Sequence, residues 1–397
     1  MSPTLLFITD SFPNSNGAGI SQTLYNLFRD YGGQMWILMP EDEIVPPANE
    51  CILAKRITYK PIWRSPMRNR LGKLLNYLTR NFQFTLQSFK TFSQHLPHKE
   101  GLIIIVSTTD ASKLHLAYLL SKNRGYAVVP YFMDDWVGSS TRFWYGRRLQ
   151  KMTAYVLSTA KARLMISKQL KAILEERFKL PTVPTHIVHN PCPVIPHLGS
   201  MLDQKNLSAS LIMYAGSIWP MHADALVATA KAIHLSHQVP GHKYNLHIYA
   251  PAVQWQNYSQ QLKGAGVAYK GWLSYAEVLQ EMPKAWLLLC TASFTIEYAP
   301  FSKSSVQTKL TDYIAAARPV MVVGPMDAAS GEWVANNGCG LHFSNPDPKV
   351  LLKGLRNCTQ NPEAIKAMAE QAKTLAIGTY AAQTVKQKLY QFLENII

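Results

Sequence analysis

Residues Ser302 to Val323 read SKSSVQTKLTDYIAAARPVMVV. The first part holds hydroxyls and a lysine, and the middle predicts a short helix from about Gln307 to Ala317. Pro319 then opens an apolar, β-branched run that predicts a buried strand. Ser304, Ser305, Gln307 and Thr308 set capping oxygens and backbone N–H groups where a helix dipole is positive, and Lys309 adds a full charge one turn inside. An anion such as a diphosphate would fit there. Asp312, three residues after Lys309, projects from the same side of the helix, where a carboxylate can accept from two sugar hydroxyls. The plainer alternative is a capped helix with a surface Lys/Asp pair.

The string TKLTDYIAAARPVMVVGP, Thr308 to Pro325, resembles the nucleotide-sugar segment of GT-B glycosyltransferases, above all the large retaining group that reads (S/T)KL-x-EY-x-A-x-G-x-PV. The resemblance implies that Lys309 touches a donor diphosphate, that amides near Ser305, Gln307 and Thr308 assist, and that Asp312 takes the place of a glutamate on the ribose. It departs from the pattern in three ways. Asp312 is one methylene short, Ala317 stands where the pattern has glycine, and Ser304 stands where an earlier glutamate is common. Glu297, in SFTIEYAPF, could serve for that glutamate across a longer loop.

A chain of 397 residues is long enough for two domains. An apolar share of 47% with 16% charged residues fits globular cores, and no apolar run reaches the roughly 18 residues that would span a membrane. Asp10 interrupts the N-terminal MSPTLLFITD, so it reads as a first strand rather than a signal peptide. Cys51, Cys192, Cys290, Cys339 and Cys358 lack metal spacing and read as reduced thiols of a cytoplasmic protein. The formal charge is +16, and residues 1–200 hold 24 basic against 12 acidic side chains, whereas 201–397 hold 16 against 12. Ten basic residues and no acidic one lie from Cys51 to Lys99, and eight against none from Trp136 to Leu174. Such runs favour an anionic partner, with a solvated basic face as the plain alternative.

Along the chain, Leu5 to Thr9 and Met35 to Met39 predict strands. Between them Gly17 and Gly19 would let backbone approach a ligand, with Ser21 as an N-cap; a turn needing positive φ is the alternative. From Arg64 to Phe92 the residues Met67, Leu71, Leu74, Leu75, Leu78, Phe82, Leu86 and Phe89 make one helical apolar stripe. Leu102 to Ser107 and Val128 to Phe132 predict strands of a parallel sheet, and the second ends in MDDW. Asp134 and Asp135, at a strand's carboxyl end, are candidates for a general base on an acceptor hydroxyl or for holding a sugar hydroxyl. A metal is the lesser reading, since adjacent carboxylates on extended chain point apart.

Arg163 to Ser167 predicts a strand, Lys168 to Phe178 a helix, and the proline-dense stretch after it a hinge at about 191–207. The second half alternates again, through LIMYAG, a helix from His222 to Ser236, NLHIYA, VAYKG, a helix from Tyr275 to Met282, WLLLC and the focal segment. MYAGSIWP resembles the family's phosphate loop of the back domain, which implies that Gly216 and Ser217 approach the diphosphate, with His222 as the nearest stand-in for a missing basic residue. YKGWLSYAEV resembles the segment that reads the base, which implies that Trp272 and Leu273 lie near it; Trp272 as ordinary core is the alternative.

The fold expected is α/β of GT-B architecture, two Rossmann-like domains with parallel sheets facing across a cleft. Residues 1–190 would bind the acceptor and 208–378 the nucleotide-sugar, while 379–397 would form a helix crossing back to the first domain. The implied reaction moves a sugar from a nucleotide-diphosphate donor to a hydroxyl of a glycan or lipid-linked acceptor, in cell-surface polysaccharide or glycolipid synthesis. It needs no metal and no cofactor, because protein cations and dipoles stabilise the leaving group. Retention of configuration follows by analogy alone. An anionic membrane surface, with the protein peripheral on its inner face, would suit the basic first domain. A nucleotide-sugar epimerase and a non-catalytic sugar-nucleotide-binding subunit are the alternatives, and the basic charge matches no nucleic-acid module.

Overall fold

The computed structural model describes residues 2–15, 17, 19–60, 71–72, 75, 79, 89, 100–139, 144–195 and 210–397. The helix expected from Arg64 to Phe92 lies outside the described residues but for five positions, and the hinge expected at 191–207 lies outside them from 196 onward. The chain divides into two compact units, Met1–Val188 with Lys386–Ile397, and His189–Val385.

The first unit is built on seven strands: β1 Thr4–Thr9, β2 Met35–Pro40, β3 Lys55–Tyr59, β4 Leu102–Ser107, β5 Ala127–Phe132, β6 Arg163–Met165 and β7 Thr185–Ile187. All pair in parallel, in the order β3-β2-β1-β4-β5-β6-β7. All six residues of β4 are buried, as both faces of a parallel sheet must be covered by helices. One cover, Ala111–Arg124, starts at Asp110, whose side chain accepts from Ser112 N, and stops at Gly125 in the left-handed region. Residues from Lys386 onward also pack in this unit: Tyr390 Oη donates to Leu27 O at 2.7 Å, and Lys386 binds the Asp30 carboxylate.

The second unit has six strands: β8 Leu211–Ala215, β9 Asn245–Tyr249, β10 Val267–Tyr269, β11 Leu287–Thr291, β12 Val320–Val323 and β13 Gly340–Phe343. These are again all parallel, in the order β10-β9-β8-β11-β12-β13. Ile212, Tyr214, Leu246, Ile248, Leu287 and Leu289 meet the helix Pro220–Gln238 in its core. The sequence reading lacked the helices Ala111–Arg124, Ala252–Leu262, Pro348–Gln360 and Pro362–Ile377, among others, and the strands β3, β7 and β13. The three strands sit at sheet edges, where one side is open and the apolar pattern fades.

Both orders reverse direction beside a central strand, between β1 and β4 in the first unit and between β8 and β11 in the second. Chain leaving the carboxyl ends of such a strand pair diverges to opposite sides and opens a crevice, which is where open α/β sheets hold ligands. No helix among the described residues is long and apolar enough to cross a membrane.

Candidate functional site

The loops after β8 and β11 define the crevice of the second unit. After β8 the chain turns at Gly216, whose φ is 134°, and Ile218 N donates to Gln254 Oε1 at 2.7 Å. After β11 the chain runs through a single 3₁₀ turn, Ile296–Tyr298, and a short helix, Ala299–Ser304, before Lys309–Ala315 begins. Lys309 therefore returns to the mouth of β8. Its Nζ lies 4.4 Å from the ring centroid of Tyr214 and 3.1 Å from the place a Cβ would take on Gly216. Among the described residues no carboxylate pairs with it. A half-buried ammonium resting on an aromatic face, with no carboxylate in salt-bridge contact among the described residues, has the chemistry to receive an anion.

The surroundings of Lys309 differ from the sequence reading in several respects. The helix starts at Lys309 rather than Gln307, and its N-cap Thr308 makes no side-chain cap bond. Ser304 ends the preceding helix and its hydroxyl donates back to Pro300 O at 2.6 Å. The Gln307 amide, expected to face an anion, donates instead to Ser330 Oγ at 3.2 Å, and its side chain donates to Thr291 O at 2.7 Å. Ser330 in turn donates to Ser305 O at 3.1 Å, which ties the segment to the helix Ala329–Asn337.

His222 cannot stand in for the missing cation. Its Nδ1 lies 3.0 Å from Thr291 O, and burial together with the charge of Lys309 pushes its pKa down to about 3. The ring is neutral at pH 7, with Nδ1 carrying the proton that the carbonyl accepts. The Gly216 amide is likewise used, donating to Tyr249 O at 3.0 Å. What Gly216 supplies is room, since a side chain there would meet the Lys309 ammonium. Ser217 stays half-buried beside it, and its carbonyl accepts from Tyr214 Oη at 2.7 Å.

Asp312 lies one turn along from Lys309 and is buried, with Tyr275 Oη donating to its Oδ1 at 2.8 Å. Burial raises its pKa to about 7, against the opposing effects of the Tyr275 hydrogen bond and Lys309. Trp272 is 62% exposed, which excludes the core reading, and Leu273 beside it is half-buried. Glu297 is exposed on the 3₁₀ turn. One residue the sequence reading missed is Asp224, whose Oδ2 accepts from Ser293 Oγ at 3.0 Å and Phe294 N at 2.8 Å, pinning the start of the Glu297 loop. A lone aspartate within a helix gave no signal of that role.

In the first unit, Gly17 has no room for a side chain: a Cβ would fall 2.5 Å from Ser21 Oγ. Ser21 is not the N-cap; Gly19 is, at φ 54°, and the Ser21 hydroxyl donates to Phe12 O at 2.7 Å. Asp135 is committed to structure, because Arg177 grips its two oxygens at 2.6 Å each and Gly138 N donates to it at 2.9 Å. Both oxygens are taken up in holding Arg177 and the turn at Gly138, a structural role in place of the expected one as a base. Asp134 is half-buried, and burial with the charge of Asp135 raises its pKa to about 6. At the carboxyl end of β1, Asp10 accepts from Thr109 N at 2.8 Å and from the Thr108 hydroxyl, with Lys113 at 3.5 Å. That cluster at the switch point also escaped the sequence reading.

No protein-family model matches this sequence, and no curated protein matches it. Solved structures do. HepE of Anabaena, crystallised with UDP, superposes at a TM-score of 0.69 with 14% identity over 99% of this chain and 100% of its own. Sucrose-phosphate synthase of Thermosynechococcus elongatus gives 0.69 with 12% identity, over 100% of this chain and 99% of its own. WaaG, a glycosyltransferase involved in lipopolysaccharide biosynthesis, gives 0.65 with 14% identity over 98% and 99%. This chain has their fold. It is the GT-B architecture that the Lys309 segment resembles, and the superpositions run over nearly the whole length of each chain.

Proposed function

We propose that the protein is a nucleotide-sugar-dependent glycosyltransferase, moving a sugar from a nucleotide-diphosphate donor to a hydroxyl of a glycan or lipid-linked acceptor. The observation that carries this reading is the Lys309 ammonium set over Tyr214 and against Gly216 at the β8/β11 switch point, with no carboxylate in salt-bridge contact among the described residues. The donor diphosphate lies on Lys309, Ser217 and Thr308, with Asp312 toward the ribose and Trp272 and Leu273 toward the base. The UDP complex of HepE supports a nucleotide in a protein of this fold.

Breaking the sugar–phosphate bond puts charge on the departing diphosphate, and a fixed cation there stabilises the transition state more than the ground state. Lys309 does this without a metal or a cofactor. Asp134, with its raised pKa, suits a group that takes the acceptor hydroxyl's proton near neutral pH. The basic first unit supports an anionic partner, and a membrane surface bearing the acceptor would place the protein peripherally on it.

The test is calorimetric titration of the full-length protein with UDP and GDP, followed by donor assays with UDP- and GDP-sugars. Lys309→Ala should weaken the better diphosphate about 10- to 100-fold, the range for losing a charged hydrogen bond. Normal binding by that variant would overturn the assignment. Turnover of a donor sugar without any acceptor would favour an epimerase instead.

A further inference from the structure

Thr291 is the last residue of β11, in register with Val323 of β12, and its carbonyl accepts two side-chain hydrogen bonds. One comes from His222 Nδ1 at 3.0 Å, in the first turn of the helix Pro220–Gln238 that follows the Gly216 loop. The other comes from Gln307 Nε2 at 2.7 Å, just ahead of Lys309. Both sides of the crevice thus meet at one carbonyl held by the sheet. The Gln307 backbone is fixed as well: its N–H donates to Ser330 Oγ at 3.2 Å, and its carbonyl accepts from Leu310 N at 3.1 Å. Thr308, the N-cap of the Lys309 helix, makes no side-chain cap bond, so the helix start is anchored through Gln307. The Gln307 carboxamide gives little net stability in return, because its Oε1 is buried with no donor among the described residues. A buried acceptor left unpaired opposes folding by at least as much as one neutral hydrogen bond favours it. What the carboxamide contributes is position.

We infer that Gln307 is a positioning residue of the anion site: by donating to Thr291 O, its carboxamide sets where the Lys309 ammonium stands over Tyr214 and beside Gly216. The inference rests on the diphosphate reading of Lys309. An ammonium on a flexible four-carbon stem has no geometry of its own, so its place is decided by the backbone that carries it and by the ring it rests on. Charge-assisted hydrogen bonds to an anion need that place to be held closely, since a small displacement weakens them steeply. With Gln307 released from Thr291 O, the start of the Lys309 helix loses its tie to the sheet. Lys309 then keeps its charge and loses its aim.

The experiment titrates the full-length protein calorimetrically with UDP and GDP and follows the urea unfolding of each variant. Gln307→Met keeps a side chain of similar length while removing both the bond to Thr291 O and the unpaired oxygen. It should bind the better diphosphate about tenfold more weakly, with a urea midpoint at or above that of the wild type. Gln307→Asn, whose carboxamide is one methylene short of Thr291 O, should lose the same affinity. Introduced into Lys309→Ala, Gln307→Met should cause no further loss, because its effect passes through the ammonium. A merely structural role gives the opposite pattern: a lower midpoint, and the same loss of affinity with or without Lys309. That pattern overturns the inference. So does a Gln307→Met protein that binds like the wild type while Lys309→Ala does not, and this outcome leaves the diphosphate reading standing. A wild type that binds neither diphosphate would strike the donor reading, and this inference with it.

Discussion

The Lys309 ammonium lies against the space that a side chain at Gly216 would fill, with 3.1 Å between Nζ and the position of a Cβ there. Gly216→Ala should therefore act on Lys309 without altering it. The new methyl shifts the ammonium over Tyr214 by a few tenths of an ångström, and φ 134° strains any L-residue, at a cost of about 1–3 kcal/mol. Loss of UDP affinity together with a lower urea midpoint is the expected outcome. Unchanged affinity in a destabilised protein would mean that the ammonium position is irrelevant to binding.

Ala317 is one of two non-glycine residues with positive φ among the described residues, at 50°. It follows the helix Lys309–Ala315 and turns the chain toward Pro319 and β12. The left-handed region crowds a Cβ, so Ala317→Gly should stabilise the second unit by about 1 kcal/mol. Equilibrium urea unfolding measures it, and a destabilised variant would show that the methyl's burial outweighs the strain.

Asp135 and Arg177 form a bidentate pair in which Asp135 is 1% and Arg177 31% exposed. Asp135→Asn should lower the unfolding free energy by about 2 kcal/mol, less than for a wholly buried pair because water screens the Arg177 side. Asp134→Asn should leave diphosphate affinity intact while abolishing sugar transfer. Equal loss of transfer in the two variants at equal stability would restore Asp135 as a reacting group.

Asp312 has a pKa raised to about 7 from an ordinary 3.8. Between about pH 4 and 7 the unfolded chain has released a proton that the native protein keeps, so this group's contribution to stability falls as pH rises through that window. His222, lowered to about 3, works in the opposite sense: its contribution is lost as pH falls from about 6.5 toward 3. The two partly cancel in the wild type. Relative to the wild type, Asp312→Asn should gain stability with rising pH from 4 to 7, by up to about 1.4 kcal/mol per pH unit. A difference independent of pH would mean that Asp312 titrates as it does in the unfolded chain.

Much of this could be read from the chain. Apolar, β-branched runs such as LIIIVS and WLLLC, separated by helical spacing, predict parallel strands, and those strands are there. Lys309 stood out by its place between a polar loop and a buried strand. The misses share a cause. Edge strands such as Thr185–Ile187 carry little apolar signal, and the expected cap Ser21 turned to Phe12 O, nine residues back across the loop.

The sequence by itself determined two α/β units with parallel sheets and placed Lys309 within a short helix before a buried strand, because period and apolar runs act over a few residues. Tertiary structure alone decided what the charged groups do. It gave Asp135 to Arg177, 42 positions away, set Tyr275 before Asp312 across 37, and left His222 neutral by burying it beside Lys309. Those outcomes depend on distance and desolvation between segments remote in the chain, which local pattern does not encode.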